Sequence, residues 1–177
     1  MHDSLWQEFV LVAHQIQVGN QVEKLLRNGA GGLARIKRLG QLTSSKVRAE
    51  DYLPWYQHNI FGFCSWDRPG AKPITVGEWA EHYNADDECP GKDVVNDFCE
   101  MVPEYLRSLG KILIVHDTML DTRVIVEGAK RACFYYVAGE DQPPALCFSS
   151  PYGHMLFPSD FFVHLPEIKA ETPWLEE

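Results

Sequence analysis

The chain has 177 residues, 45% hydrophobic and 23% charged, with five Trp among its aromatics; this is the composition of a folded domain and excludes a disordered or low-complexity chain. Its net charge of −9 is divided unevenly, with seven Lys and Arg against four Asp and Glu in residues 1–50 and nine against twenty-one beyond. An acidic body of this kind argues against broad, non-specific binding to duplex nucleic acid, while residues 24–48 remain as a local basic patch. No apolar run reaches the roughly 18 residues of a membrane-spanning helix. The opening MHDSLWQEF carries an acid and no basic stretch, so no secretory signal is expected. The five cysteines (Cys64, Cys89, Cys99, Cys133 and Cys147) form no CxxC pair and no zinc-ligand spacing. They read as reduced thiols of a cytoplasmic protein.

In chain order, residues 3–28 predict a helix. Asp3 or Ser4 can cap it, Leu5, Phe9, Val12 and Ile16 share one face, and Gly19-Asn20 can kink it. Asn28-Gly29 is a stop signal and Gly31-Gly32 a flexible joint. Residues 33–39 form a short basic helix, and 46–56 a further helical turn entering the aromatic cluster Tyr52, Trp55 and Tyr56. The wider set Trp55, Tyr56, Phe61, Phe63 and Trp66, with His58 between, can pack a core or stack a base. A turn follows at Trp66–Gly70. Thr75 and Glu78 fit a capping box for a helix over 76–83. Residues 93–109 predict another helix, kinked or restarted at Pro103.

The clearest stretch is Lys111 to Gly139. The apolar run 112–116 is a strand, 118–122 a turn, and the β-branched 123–127 a second strand. A helix follows over 129–138. A third strand is expected near 145–149, then a turn at Pro151–Gly153, a Ser159-capped helix over 160–164 and an extended tail.

Chemistry is concentrated at Glu127-Gly128-Ala129-Lys130-Arg131. Here a strand ends, a glycine permits close backbone approach, and a helix opens with two cations at an end its own N–H groups already make positive. A phosphate or carboxylate is the natural partner, with Arg131 binding bidentately and Lys130 as a point charge. The alternative is that both cations pair with Glu127 and the acidic loops, in which case no vacancy exists for a ligand. A second cluster, His116, Asp117 and Asp121, sits at the hairpin turn. Its carboxylates suit Mg²⁺ and its imidazole a general base, or they simply bond the turn's amides. The third is Arg35, Lys37 and Arg38, with Lys24, Arg27, Lys46 and Arg48 nearby: a phosphate-contacting patch for nucleic acid or a solvated basic face.

The order helix, strand, turn, strand, acid-Gly-x-basic-Arg, helix, strand resembles the ParB/sulfiredoxin-like superfamily over about residues 73–150. In that family a segment of this type opens a helix and its Arg contacts nucleotide phosphate; the matching positions here are Glu127, Gly128, Lys130 and Arg131. Ala129 stands where the sulfiredoxin type has its cysteine, so that activity is not implied, and Cys133 lies farther along the helix. Lys130 replaces the usual His or Arg, and no helix-turn-helix follows residue 150. The resemblance implies an α+β fold, a small mixed sheet with a central hairpin flanked by helices, plus an N-terminal helical extension (1–56 and 57–177). It also implies binding of ATP or CTP with Mg²⁺, for hydrolysis or phosphoryl transfer. Gly128, Ala129, Lys130 and Arg131 would hold the nucleotide, Asp117 and Asp121, or Glu127, the metal, and His116 and Glu127 would be catalytic. The competing class is a non-catalytic acidic interaction protein of the inhibitor or immunity type.

Overall fold

The computed structural model describes residues 2–16, 21–58, 62–64, 69–85, 110–138 and 145–157. The helix expected at 93–109, the helix expected at 160–164 and the extended tail lie outside these residues, as do Gly19-Asn20, Phe61 and Trp66. The described chain is α+β. Its helices are α1 (His2–Ala13), α2 (Gln21–Leu26), α3 (Gly29–Leu39), α4 (Val76–Ala85), α5 (Ala129–Ala138) and α6 (Gly153–Leu156). Its strands are β1 (Gln41–Ser45), β2 (Tyr52–His58), β3 (Gly62–Cys64), β4 (Lys72–Thr75), β5 (Leu113–Asp117), β6 (Thr122–Glu127) and β7 (Ala145–Ser150).

The mixed sheet runs β1-β7-β5-β6-β2-β3, with β4 also paired to β2. The β5–β6 hairpin is antiparallel and central; β5 is parallel to β7, and β6 is parallel to β2. Both faces of the sheet are covered, which explains the unbroken apolar run at 112–115. Alternate residues go to opposite cores. Leu113 and Val115 join Leu42, Val124, Leu146 and Phe148 under Trp6, Phe9, Val22 and Ile36 of α1–α3. Ile112 and Ile114 join Leu53, Ile125, Ala145 and Cys147 under Trp79 of α4 and Ala132 and Cys133 of α5. Phe9 and Phe148 bring their ring centroids within 5.5 Å at the centre of the first core.

Two expectations are corrected. Residues 46–56 are not helical: Lys46–Asp51 is a connection and Tyr52–His58 a strand. Leu53 and Tyr56 are buried on opposite cores. The ladder to β4 slips between Tyr52 and Tyr56. Pro54 therefore falls where a missing donor is tolerated. Gly31-Gly32 is not a joint but lies inside α3, which begins at Gly29. A Cβ on Gly32 would stand 1.7 Å from the Leu25 carbonyl oxygen, so glycine is what lets α2 and α3 touch backbone to backbone. The polar QLTSS segment, for which the sequence suggests no element, forms β1, paired along β7 from Gln41↔Ser149 to Ser45↔Ala145. The Thr75–Glu78 capping box forms as expected, with Glu78 N–H donating to Thr75 Oγ1 (3.2 Å) and Thr75 N–H to Glu78 Oε2 (2.9 Å).

Successive strands β1 and β2 are not neighbours, because β7, β5 and β6 lie between them. Their connection crosses the second face and buries Val47 there. Arg123, on that face of β6, holds it down. Its Nε donates to Asp51 Oδ1 (2.5 Å), and its Nη2 to Asp51 Oδ2 and the Lys46 carbonyl (both 3.2 Å). Asp51 is fully buried and also accepts from the Arg48 N–H at 2.8 Å. Its own carbonyl receives the Val76 N–H, and the Ala49 carbonyl the Gly77 N–H, each at 2.9 Å, so the same connection caps α4. Burial alone would lower the Arg123 pKa. The hydrogen bond and charge of Asp51 outweigh it and hold the guanidinium above its ordinary value. Removing one partner strands a buried charge. Asp51→Ala is expected to cost about 3–5 kcal/mol of unfolding free energy in a urea titration, and the paired Asp51→Leu/Arg123→Leu variant less than the two single losses together.

Candidate functional site

Gly128 adopts φ 80°, the left-handed conformation that a strand-to-helix turn requires and glycine tolerates. The Ala132 N–H then donates to the Gly128 carbonyl at 2.9 Å and α5 begins. Lys130 is exposed on the first turn. Arg131 is only 6% exposed. Its Nη1 donates to the Gly110 carbonyl, and its Nη2 lies 3.4 Å from Glu127 Oε1. A Cβ on Gly128 would stand 2.9 Å from Nη2, so the guanidinium lies directly under the turn. Arg131 is therefore not an open fork for phosphate. The repulsion expected at the helix start is offset for Arg131 by Glu127 and the Gly110 carbonyl. For Lys130 no ion pair offsets it among the described residues.

The hairpin-turn cluster is split by the pleat. Asp117 faces the first core and is fully buried. Its Oδ1 accepts from the Met119 and Leu120 N–H groups (3.0 and 3.1 Å), and its Oδ2 from the His154 N–H and Nδ1 (2.8 and 2.6 Å). Asp121, at φ 47°, has a fully exposed side chain on the other side, where its Oδ1 lies 3.6 Å from His116 Nε2. The two carboxylates assigned to Mg²⁺ thus do not converge. Among the described residues no three His, Cys, Asp or Glu side chains group as metal ligands. The physical reason is local: a carboxylate at a strand end bonds the amides of the turn that follows it, and Asp117 is consumed that way.

His116 sits in a polar cross-strand row on the second face, Arg123–His116–Ser149–Gln41, set by register. Ser149 Oγ is 3.4 Å from His116 Nδ1, and Cys147 Sγ is 3.8 Å from both Ser149 Oγ and Arg123 Nη1. Burial pushes the Cys147 thiol above its ordinary pKa. The hydrogen bond to Ser149 and the charge of Arg123 offset only part of this, so the sulfur stays protonated. The row can pass a proton between hydroxyl and imidazole. Glu127 pairs with Leu113, three residues along β5 from His116. At about 3.3 Å per residue the two candidate catalytic groups stand roughly 10 Å apart along the hairpin. His116 and Glu127 therefore occupy separate points along the hairpin.

Sequence reasoning missed Arg123, Asp51, Ser149 and His154. Arg123 had a signal: in the alternation of 123–127 it shares a face with Ile125, and a cation on a buried face needs a partner. The His154–Asp117 pair had none, because 37 residues separate it. Within the basic segment, Arg27 pairs with Glu23 (2.7 Å), and Arg35, Lys37 and Arg38 are exposed on α3. No helix among the described residues is long and apolar enough to cross a membrane. No protein-family model matches the chain, and neither a curated protein nor a solved structure matches it.

Two outcomes follow from this placement. Arg131→Met should lower unfolding free energy by about 2–4 kcal/mol, because it leaves Glu127 and the Gly110 carbonyl without their donor. An Arg131 that served only as a ligand contact would leave stability unchanged. Cys147, with its folded pKa raised, contributes stability below the unfolded thiol value of 9.0 that is lost as pH rises beyond it. Iodoacetamide at neutral pH should label Cys147 only after denaturation, read by mass spectrometry of the tryptic peptide.

Proposed function

We propose that the β6–α5 turn binds the phosphate of a nucleotide, ATP or CTP with Mg²⁺, or of another phosphorylated small molecule. The observation that carries it is Lys130: an exposed cation at the amino end of a ten-residue helix, with no ion pair among the described residues. The contacts would be Lys130 and the first-turn N–H groups of Ala129 and its neighbours. Arg131 is a positioning residue in this scheme. Packed beneath Gly128, it holds the turn in its left-handed form and adds positive potential from below. Glu127 is the carboxylate next to the turn in sequence, so a metal shared with phosphate would be held there and not at Asp117 or Asp121.

Hydrolysis or transfer would rest on positioning and charge at this turn, because His116 is too distant to act as base. Nucleotide-dependent release of inorganic phosphate would mark an enzyme; saturable binding without release would mark a binding module.

The test is a thermal melt with ATP or CTP and Mg²⁺. At a hundredfold excess over Kd the stabilisation is about 2.7 kcal/mol. For a domain of this size that is a rise of roughly 5–10 °C. Lys130→Glu should abolish the rise without lowering the melting temperature of the free protein, since an acid at a helix start is favourable. No shift with either nucleotide, or an undiminished shift in Lys130→Glu, would remove the proposal.

A further inference from the structure

The polar end of the second face holds a hydroxyl, an imidazole and a carboxylate in one chain of contacts. We propose that this row hydrolyses carboxylic esters, with Ser149 as nucleophile, His116 as general base and Asp121 orienting the imidazole. Ser149 Oγ lies 3.4 Å from His116 Nδ1, and His116 Nε2 lies 3.6 Å from Asp121 Oδ1. A nucleophile beside a base, with the base turned by a third group, is the geometric signature of an activated serine; it is recognised by roles and not by chain order. Such contacts are commonly long before substrate binds. Register builds the row: Gln41, Ser149 and His116 stand side by side on β1, β7 and β5, so their side chains leave the same face of the sheet. Asp121, held at φ 47° in the hairpin turn, brings its carboxylate to the other nitrogen of the ring.

The two ring nitrogens have different tasks. A carboxylate beside Nε2 favours the tautomer with its proton there, which leaves the Nδ1 lone pair for the Ser149 hydroxyl. Gln41 and Thr43 of β1 are exposed and Ser149 and His116 half-buried, so a carbonyl can approach the hydroxyl from the β1 flank. The Gln41 amide, opposite Ser149 in the ladder, is a donor for the carbonyl oxygen as it gains charge. Charge favours a neutral ester over a phosphate. Arg123, next in the row, is committed to Asp51 and the Lys46 carbonyl, and the exposed charge is the Asp121 carboxylate. In the first half-reaction Ser149 Oγ bonds to the carbonyl carbon while its proton passes to His116 Nδ1. The C–O bond to the alcohol then breaks, and the departing alkoxide takes that proton. Water next adds to the acyl-serine, giving a proton to His116, which returns it to Ser149 Oγ as the carboxylic acid leaves. The activity is independent of the phosphate reading, whose turn lies at the far end of the hairpin.

The test treats the full chain with a fluorophosphonate probe, which phosphonylates an activated serine with loss of fluoride, and locates the adduct by mass spectrometry. Hydrolysis of p-nitrophenyl butyrate is followed in parallel. The adduct should sit on Ser149 in the folded protein and be absent after unfolding in urea. Ser149→Ala should abolish both labelling and turnover, and His116→Gln should slow each by about a hundredfold or more. Gln41→Leu should lower kcat about tenfold or more, because the donor to the carbonyl oxygen is lost. Asp121 acts through His116 and is a positioning residue. Asp121→Asn keeps a side chain that tolerates the left-handed backbone, and it should lower kcat several-fold at unchanged KM, with Asp121→Glu recovering part of the loss. Unchanged melting temperatures of Ser149→Ala and Asp121→Asn are the folding control. No adduct on Ser149, equal labelling in His116→Gln or in urea, or turnover that survives Ser149→Ala would overturn the proposal. Labelling of Ser149 without ester turnover would overturn it equally, leaving the row a polar cross-strand ladder.

Discussion

A buried ion pair between Arg123 and Asp51 organises the second face of the sheet. β1 and β2 follow each other in the chain but stand on opposite sides of the β7-β5-β6 centre, so their link must run over a face. A buried link is costly unless its polar groups are met. Arg123 meets them, binding both Asp51 oxygens and the Lys46 carbonyl. The same link then presents the Asp51 and Ala49 carbonyls to the first turn of α4. One guanidinium thereby couples the central hairpin, the crossover and the start of α4.

That coverage divides the second face in two. Near Gly128 it is apolar, with Ile112, Ile114, Ile125 and Ala145 under α5. Toward the hairpin turn it becomes polar, with Arg123, His116 and Ser149 side by side. The two clusters that the sequence marks as chemical therefore lie at opposite ends of one hairpin. A hairpin brings together residues equidistant from its turn. His116 is close to the turn and Glu127 far from it, so they pair with other residues.

Asp117 plays the complementary part on the first face. Its carboxylate gathers three backbone amides and the His154 imidazole, tying the hairpin turn to α6. Gly153 makes this approach possible, because a Cβ there would stand 3.1 Å from Asp117 Oδ2 and 2.9 Å from a Val115 methyl. Arg131 is likewise a charge turned inward as a brace. In each case an ionisable side chain that could bind a ligand instead satisfies the backbone of its own chain. Lys130, next to Arg131 in the chain, stays exposed on the first turn of α5.

Periodicity and turn chemistry in the sequence determined the hairpin, α5, the capped α4 and the inward face of α1, because each depends on side-chain alternation or a local hydrogen bond that neighbouring residues fully specify. They did not determine β1 or β2. QLTSS has no apolar alternation, and Tyr52–His58 is interrupted by Pro54, so both become strands only when β7, β6 and β4 offer partners. Nor could they tell an open cation from a brace. Lys130 and Arg131 are adjacent in sequence, yet on a helix they point about 100° apart. Only the position of Gly110, brought beside the helix start by folding, turned one of them into the core and left the other facing water.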